Sequence, residues 1–409
     1  MNVKTIGREY GVLLLLGVLG IPIGAAIGAV DVLFGRVLLA VSAVRAAHVM
    51  PLLLFLAPIG VAIVWAYARY GGISGKGMSL VFEVGHGKES NIPLRLVPFV
   101  MVSTWLTHLF GGSAGREGVA VQLGAALSHS FGKRLEAYIP DAARIFLITG
   151  MAAGFSGLFQ TPIAATLFAI EVLSVGSLAL SALVPAVTAS FTACWVSSAL
   201  GLEKFSVDVS AKLSMDLPLL GKLAVLGVLF GLTGGVFAWG LRQAKALAAR
   251  VLPQPLVRIA VMGVCLSALL LLLHAGRYCG LGTNLISACF SGETVYSYDW
   301  LLKLALTIGT LAAGYQGGEV TPLFSIGATL GVLLSGIVGL PVQLTAALEP
   351  KTAHCEMIQK QGRNPLFSCI FPVVPTSFSR AFGVLLQTAP EFLPAYLARY
   401  AFVTNTVGF

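Results

Sequence analysis

The chain has 409 residues, of which 57% are hydrophobic and only 11% are charged, whereas an ordinary soluble domain carries roughly 25% charged residues. Too few charges remain to cover a water-soluble particle, so the composition excludes an ordinary soluble enzyme. The net charge of +9 does not indicate a nucleic-acid partner, because the basic residues are scattered between apolar runs. In membrane proteins such an excess is typical of cytoplasmic loops.

Long apolar runs recur along the chain. Residues 11–30 carry no charge, and residues 145–170 and 172–202 are also uncharged. A helix needs roughly 20 apolar residues to cross a bilayer, so these runs predict an all-α, polytopic membrane protein. The first run follows Lys4 and Arg8, as in a signal peptide, but the chain stays apolar long afterwards, which favours a membrane span.

Glycine and proline interrupt the apolar pattern at three places. These are GGISGKGMS at residues 71–79, GGSAGREG at residues 111–118 and GYQGGEVTP at residues 314–322. Irregular backbone at membrane depth is tolerated only where protein or a water-filled cavity satisfies it, so the breaks indicate a buried polar site. Helices that begin there expose free N–H groups and positive dipole ends, which bind anions.

Two pairs of similar segments indicate an internal repeat. GREGVAVQLGAALS and GGEVTPLFSIGATLG place Glu117 and Glu319 202 residues apart (319 minus 117), and TPIAATLFAI at Thr161 and NPLFSCIFPV at Asn364 are 203 apart (364 minus 161). Repeats of this size are typical of secondary transporters. The predicted organisation is a first repeat over residues 1–205, a linker over 206–216 and a second repeat over 217–409.

Motifs of metal or nucleotide chemistry are missing from the sequence. The six cysteines form no CxxC pair, and no HExxH or Walker-type segment occurs, so we expect no metal and no cofactor. GISG at residues 72–75 and GFSG at 154–157 match the GxSG pattern of rhomboid-like intramembrane serine proteases, with His274 as a possible base. Such short patterns arise by chance in a chain with 47 glycines, so a protease is the minor alternative.

The GREG segment resembles the Gly-Arg-Glu-Gly motif of CLC anion channels and proton-coupled antiporters. The resemblance implies the CLC fold, an inverted-topology repeat with broken helices, and a homodimer in the lipid bilayer of a bacterial inner membrane. In that family the motif's glutamate is the external gate, which corresponds to Glu117 here. A carboxylate at a helix start competes with anions and is released by a proton. We expect Arg116 to be structural.

Several positions depart from most CLC proteins and resemble the fluoride-specific branch. Val119 replaces a proline, Met78 replaces a loop serine, and GGEVTP replaces GxFxP. The resemblance implies a fluoride/proton antiporter, with chloride/proton antiport and a passive anion channel as alternatives. It assigns gating and proton coupling to Glu117 and Glu319. It assigns anion binding to Met78, Gly118, Val119, Val320, Thr321, Phe324 and Phe409.

The chemistry of fluoride fits this assignment. Fluoride is smaller and harder than chloride, so it gains more from a hydroxyl donor such as Thr321. Phe324 offers a ring edge to an anion, although helix packing is the stronger interpretation.

Two features reduce the match to chloride/proton exchangers. Those proteins carry two adjacent acids where this chain has Glu171 followed by Val172. The resemblance therefore implies that the usual internal proton route is missing, and Glu319 is the candidate substitute. For Glu171 itself, an ion pair with a loop arginine is an equally open interpretation. The last segment, residues 350–409, diverges from the family pattern. It ends in Phe409, where the family tyrosine would offer a hydroxyl.

Overall fold

The computed structural model describes residues 3–173, 178–206 and 217–347, with side chains from Gly11 onward. Seven helical stretches in these ranges are long and apolar enough to cross a membrane, which confirms the prediction of an all-α, polytopic membrane protein. Phe409, the divergent segment 350–409 and most of the expected linker lie outside the described residues.

The first half of the chain contains nine α-helices among its described residues. They are α1 (Val3–Ala47), α2 (Val49–Leu54), α3 (Leu56–Ala66), α4 (Met78–Gly85), α5 (Leu96–Leu109), α6 (Glu117–Leu135), α7 (Ala142–Phe159), α8 (Pro162–Val172) and α9 (Leu183–Ala199). Between α3 and α4 a π-helical turn (Tyr67–Gly71) and a 3₁₀ turn (Gly72–Lys76) replace regular helix. The predicted break at residues 71–79 is therefore present.

The second half contains six α-helices within the part that the structure describes. They are α10 (Leu217–Val251), α11 (Pro255–Leu272), α12 (Thr283–Ser291), α13 (Asp299–Ala313), α14 (Val320–Val338) and α15 (Val342–Ala347). The predicted break at residues 314–322 is the irregular backbone between α13 and α14.

Helices α6 and α14 are equivalent elements of the two halves. Each has 19 residues, and their starts lie 203 residues apart (320 minus 117). The loops before them pair antiparallel, since Gly115 N donates to Gly318 O over 2.6 Å and Gly318 N donates to Gly115 O over 2.7 Å. The two loops thus contact each other through their backbones where the two halves of the chain meet.

This pairing corrects the expected equivalence of Glu117 and Glu319. Gly115 and Gly318 are 203 residues apart (318 minus 115), so the first residue of α6, Glu117, corresponds to Val320. Glu319 is the N-cap of α14 and corresponds to Arg116. The sequence comparison was displaced by one residue, because both loops contain a glutamate next to a glycine.

Close backbone contact holds α6 against α7. A side chain at Gly124 would collide with the carbonyl oxygen of Gly150, and one at Gly154 would collide with that of Ala120. The numbers of facing residues run in opposite directions along the two helices, so α6 and α7 are antiparallel. Glycine at these positions lets the backbones approach as membrane helices require, and the pair forms the buried centre of the first half.

Apolar side chains cover the outer faces. Leu14, Leu54, Trp195 and Leu272 are among the exposed large hydrophobic residues. In water such a surface would promote association, whereas the acyl chains of a bilayer solvate it.

Candidate functional site

Glu117 is the first residue of α6, and its side chain is only 1% exposed. Its Oε2 atom accepts the backbone N–H of Arg116 and the backbone N–H of Thr321, each over 3.0 Å. Thr321 is the second residue of α14, so the N-terminal ends of two helices converge on one carboxylate. Each end carries a partial positive charge.

The surroundings of this carboxylate have unused hydrogen-bonding capacity. Glu117 Oε1, the Thr321 hydroxyl, and Nε and Nη1 of Arg116 are buried without a hydrogen-bond partner among the described residues. Buried polar groups are normally paired, and an unpaired one indicates a position where a ligand or water binds. Donors and an acceptor therefore line a polar site at the junction of the two halves.

The third predicted break lies beside the same junction. Gly77 has φ of 55°, and a side chain there would meet Oε1 of Gln122 at 3.6 Å and Oε1 of Gln316 at 3.9 Å. Gln122 belongs to the second turn of α6, and Gln316 belongs to the loop before α14. Met78, half-buried at the start of α4, is thus brought next to both halves, as the three breaks predicted.

The other predicted anion-binding residues occupy different environments. Gly118 lies beside Gly318, because a side chain on it would meet the Gly318 Cα at 3.7 Å. Val119 is fully buried in the apolar core of the first half, and Val320 is half-buried in the first turn of α14. The Phe324 ring packs with apolar residues around α13 and α14, which supports the packing interpretation.

Glu319 and Glu171 differ in their positions. Glu319 is half-buried at the N-cap of α14, two residues from Thr321. Glu171 is half-buried near the end of α8, and Val172 beside it is buried. Glu319 therefore belongs to the helix junction.

The protease alternative is not supported by the geometry. Ser156 donates its hydroxyl to the carbonyl of Ser190 over 2.7 Å, and the Ser74 hydroxyl has no hydrogen-bond partner within the described ranges. The His274 ring pairs instead with the Tyr298 hydroxyl at 2.9 Å. Among the described residues, neither serine therefore has the partnered base that nucleophilic catalysis needs.

Three buried ionisable residues escaped the sequence analysis. Asp31 is fully buried against Gly157 of α7, and its carboxylate oxygens have no hydrogen-bond partner in the part of the chain that the structure describes. Lys303 and His108 are fully buried beside the loop that leads to Glu117. An isolated charge inside a predicted membrane helix is the signal that would have found them, because such residues are rare and usually functional.

Comparison with known proteins shows the family to which this fold belongs. A family model described as the voltage gated chloride channel matches residues 59–352. The chain belongs to this family. A "Chloride/fluoride channel protein" from Pseudomonas syringae pv. tomato is 35% identical over 309 residues, which are 73% of this chain and 67% of the relative. The "Voltage-gated ClC-type chloride channel ClcB" of Salmonella typhimurium is 25% identical over 58% of this chain and 57% of its own length.

Solved structures of the voltage-gated chloride channel family share the fold. A crystal structure of a CLC-type fluoride/proton antiporter is 50% identical, covers 89% of this chain and 94% of its own chain, and has a TM-score of 0.82. A slow cyanobacterial Cl⁻/H⁺ antiporter, at 18% identity, covers 98% of each chain with a TM-score of 0.62. The expected CLC fold, with its inverted repeat and broken helices, is confirmed. Bacterial relatives and seven candidate spans agree with a multi-pass inner-membrane protein.

Proposed function

We propose that the protein is a secondary active transporter that exports fluoride in exchange for protons. The observation that carries this proposal is the Glu117 carboxylate, an anion held by backbone N–H groups where two helix N-termini converge. A free anion would use the same donors. The solved fluoride/proton antiporter, 50% identical over most of the chain, supports the choice of substrate.

Charge competition at this point couples the two ions. While Glu117 is ionised, its carboxylate occupies the positive end of α14 and excludes another anion. A proton removes that charge, weakens the attraction to the two helix ends and allows the side chain to leave. An anion then takes the N–H groups of Arg116 and Thr321. The Glu117 side chain then releases its proton to the other side of the membrane. The carboxylate returns to the two N–H groups and displaces the anion.

Fluoride recognition is assigned to groups around this position. The Thr321 hydroxyl is buried and has no hydrogen-bond partner among the residues that the structure describes. Only close donors offset the high dehydration cost of fluoride. Met78 begins α4 next to Gly77, which lies near Gln122 and Gln316, and Glu319 provides a second acid at the N-cap of α14. The backbone of Gly118, Val119 and Val320 belongs to the proposed set. The Phe324 ring, which packs against apolar residues, is assigned to helix packing, and Phe409, assigned by resemblance, lies outside the described residues.

The proposed assembly is a homodimer with a separate pathway in each subunit. Four large apolar side chains lie at helical spacing on the outer faces of α8 and α9 and are about half exposed or more: Ile163, Leu167, Phe191 and Trp195. Such faces suit the packing of a second copy within the membrane.

Anion selectivity tests the substrate assignment. Purified protein in liposomes loaded with fluoride or chloride should release fluoride much faster, as followed with electrodes selective for each anion. Equal fluxes of the two anions would falsify the fluoride assignment and favour the chloride/proton exchange described for relatives at 26% identity.

A further inference from the structure

Lys303 is a fully buried lysine in α13. Its ammonium donates to the Ser113 hydroxyl over 2.9 Å and to the carbonyls of Tyr278 and Gly280 over 3.1 and 2.6 Å. An ammonium has three N–H donors, so all three are used. No carboxylate forms an ion pair with it in the described part of the chain. The positive charge is hydrogen-bonded but not neutralised.

One face of α13 binds the loop that leads to Glu117. Ser113 lies in this loop, and its hydroxyl contacts both Lys303 and the hydroxyl of Thr307, the latter at 2.9 Å. The backbone N–H of Ser113 donates to the Thr310 hydroxyl over 3.2 Å. Positions four and seven residues apart share a helix face, so α13 attaches the loop by three side chains.

The opposite side of the loop is also fixed. Gly280 N donates to Gly112 O over 3.0 Å, and the same Gly280 carries the carbonyl that accepts from Lys303. The guanidinium of Arg45 packs against Gly280 and donates to the carbonyl of His108 over 3.0 Å. A second cation therefore lies on the same segment as the ammonium.

The repeat makes Lys303 unusual. With the offset of 203 residues, Thr307 and Thr310 of α13 correspond to Thr104 and Thr107 of α5 (307 minus 104, 310 minus 107). Both halves thus keep the threonine pair. Lys303 corresponds to Val100 (303 minus 100), so the first half has an apolar residue there. The lysine therefore lies outside the pattern that the two halves share.

Proximity links this charge to the anion position. Ser113 is two residues before Gly115, at most about 7 Å along the chain. A side chain on Gly115 would meet Glu117 Oε2 at 2.6 Å, so the carboxylate lies directly over that glycine. The ammonium therefore binds the loop that leads to the anion position, and its charge has the same sign as the N-terminal end of α6. In a low-dielectric interior such a charge is weakly screened.

We propose that Lys303 is a positioning residue for the anion site, whose buried ammonium fixes the Gly111–Arg116 loop through Ser113 and raises the affinity of that site for a small anion. The inference rests on the proposed function, since it concerns the same site. The inference adds the positive charge of a fixed lysine to the partial positive charges of the two helix N-termini.

The test measures fluoride binding by calorimetry in detergent, in a Glu117→Gln background that removes the competing carboxylate. Lys303→Met should weaken fluoride binding at least ten-fold. Lys133→Met, which removes an exposed charge about 24 Å away at the far end of α6, should change it less than two-fold. Thr307→Val, which removes a loop contact but keeps the ammonium, should lower the melting temperature and leave the affinity within two-fold.

Each outcome bears on a separate claim. Equal fluoride affinity in Lys303→Met and its parent overturns the inference, and equal losses in Lys303→Met and Thr307→Val overturn the role of the charge. Absence of fluoride binding in the Glu117→Gln parent counts against the proposed function instead. If Lys303→Met is not recovered folded, Lys303→Gln decides, because the amide can still bind the Ser113 hydroxyl but carries no charge. A loss of fluoride affinity of at least five-fold is expected, and an unchanged affinity overturns the inference.

Discussion

The carboxylate of Glu117 is bound by backbone N–H groups rather than by the side chain of a lysine or arginine. Both donors belong to helix starts, at Arg116 and Thr321. Backbone donors cannot rotate away, so they remain in place when the carboxylate leaves and are offered unchanged to the next anion. A flexible cation would follow one ligand and bind it too tightly for turnover.

Glu117→Gln should therefore uncouple anion from proton movement. The amide keeps the size of the side chain but never carries the charge that competes with an anion, so a proton no longer controls the position. Fluoride flux through liposomes should continue or stop, while proton uptake driven by a fluoride gradient disappears. Proton transport at the parental rate in this variant would assign the coupling to another residue.

Thr321→Val should weaken fluoride transport by about 1 kcal/mol, or roughly five-fold, because a buried hydroxyl donor is lost without a change of shape. Chloride transport should suffer less. Thr329→Val on the same helix is the matched control, since the Thr329 hydroxyl donates to carbonyls of its own helix, Ser325 and Ile326. Similar losses of fluoride flux in both variants would remove Thr321 from the binding site.

The residues of the site were predictable to different degrees. Glu117 stood out because a glutamate in a glycine-rich break within apolar sequence has few structural uses. Glu319 was found, but it was aligned with Glu117 instead of Arg116. The sequence does not reveal a one-residue shift between the repeats where both loops have a similar composition. Lys303 was identifiable as an isolated charge in an apolar helix, but its contact with Ser113, 190 residues away, follows from no local pattern.

At the level of helices, glycine sets the distance between α6 and α7. Gly124 and Gly150 face each other so closely that a methyl group on either would collide with the other's backbone. Because α6 carries Glu117 at its start, the close contact between α6 and α7 also fixes the position of the Glu117 carboxylate relative to α7. The breaks at the helix starts were predictable from glycine and proline, whereas this packing register was not.

Gly124→Ala should lower stability by about 1–3 kcal/mol, because the two backbones must separate. The measurement is the thermal unfolding midpoint in detergent. Gly235→Ala in α10 is the control, since no atom lies within 4 Å of its added carbon, and alanine is the better helix former. Equal midpoints for the two variants would contradict the close packing.

At the scale of the whole molecule, composition and hydropathy were sufficient to predict a polytopic helical protein, and the offset of 203 residues predicted the repeat. The crossing of the two loops at Gly115 and Gly318 could not be read from either half alone, because it depends on how the halves pack. The boundaries proposed for the repeats, residues 1–205 and 217–409, remain a prediction.

Leu167→Trp should reduce the dimer population, because a larger ring on the face of α8 obstructs a second copy. Val264→Trp on α11 is the control, since Val264 is 61% exposed and lies on a different helix. Chemical crosslinking in detergent over a range of protein concentrations reports the result. A monodisperse monomer for the unmodified protein would contradict the homodimer.

Proton movement driven by fluoride tests the central claim most directly. Liposomes containing the protein receive an outward fluoride gradient, with the membrane potential clamped, and the external pH is recorded. The proposed exchange predicts that protons enter as fluoride leaves, even against an opposing pH gradient, and that chloride drives little proton movement. Fluoride release without any change in external pH would contradict antiport and indicate a passive anion pathway.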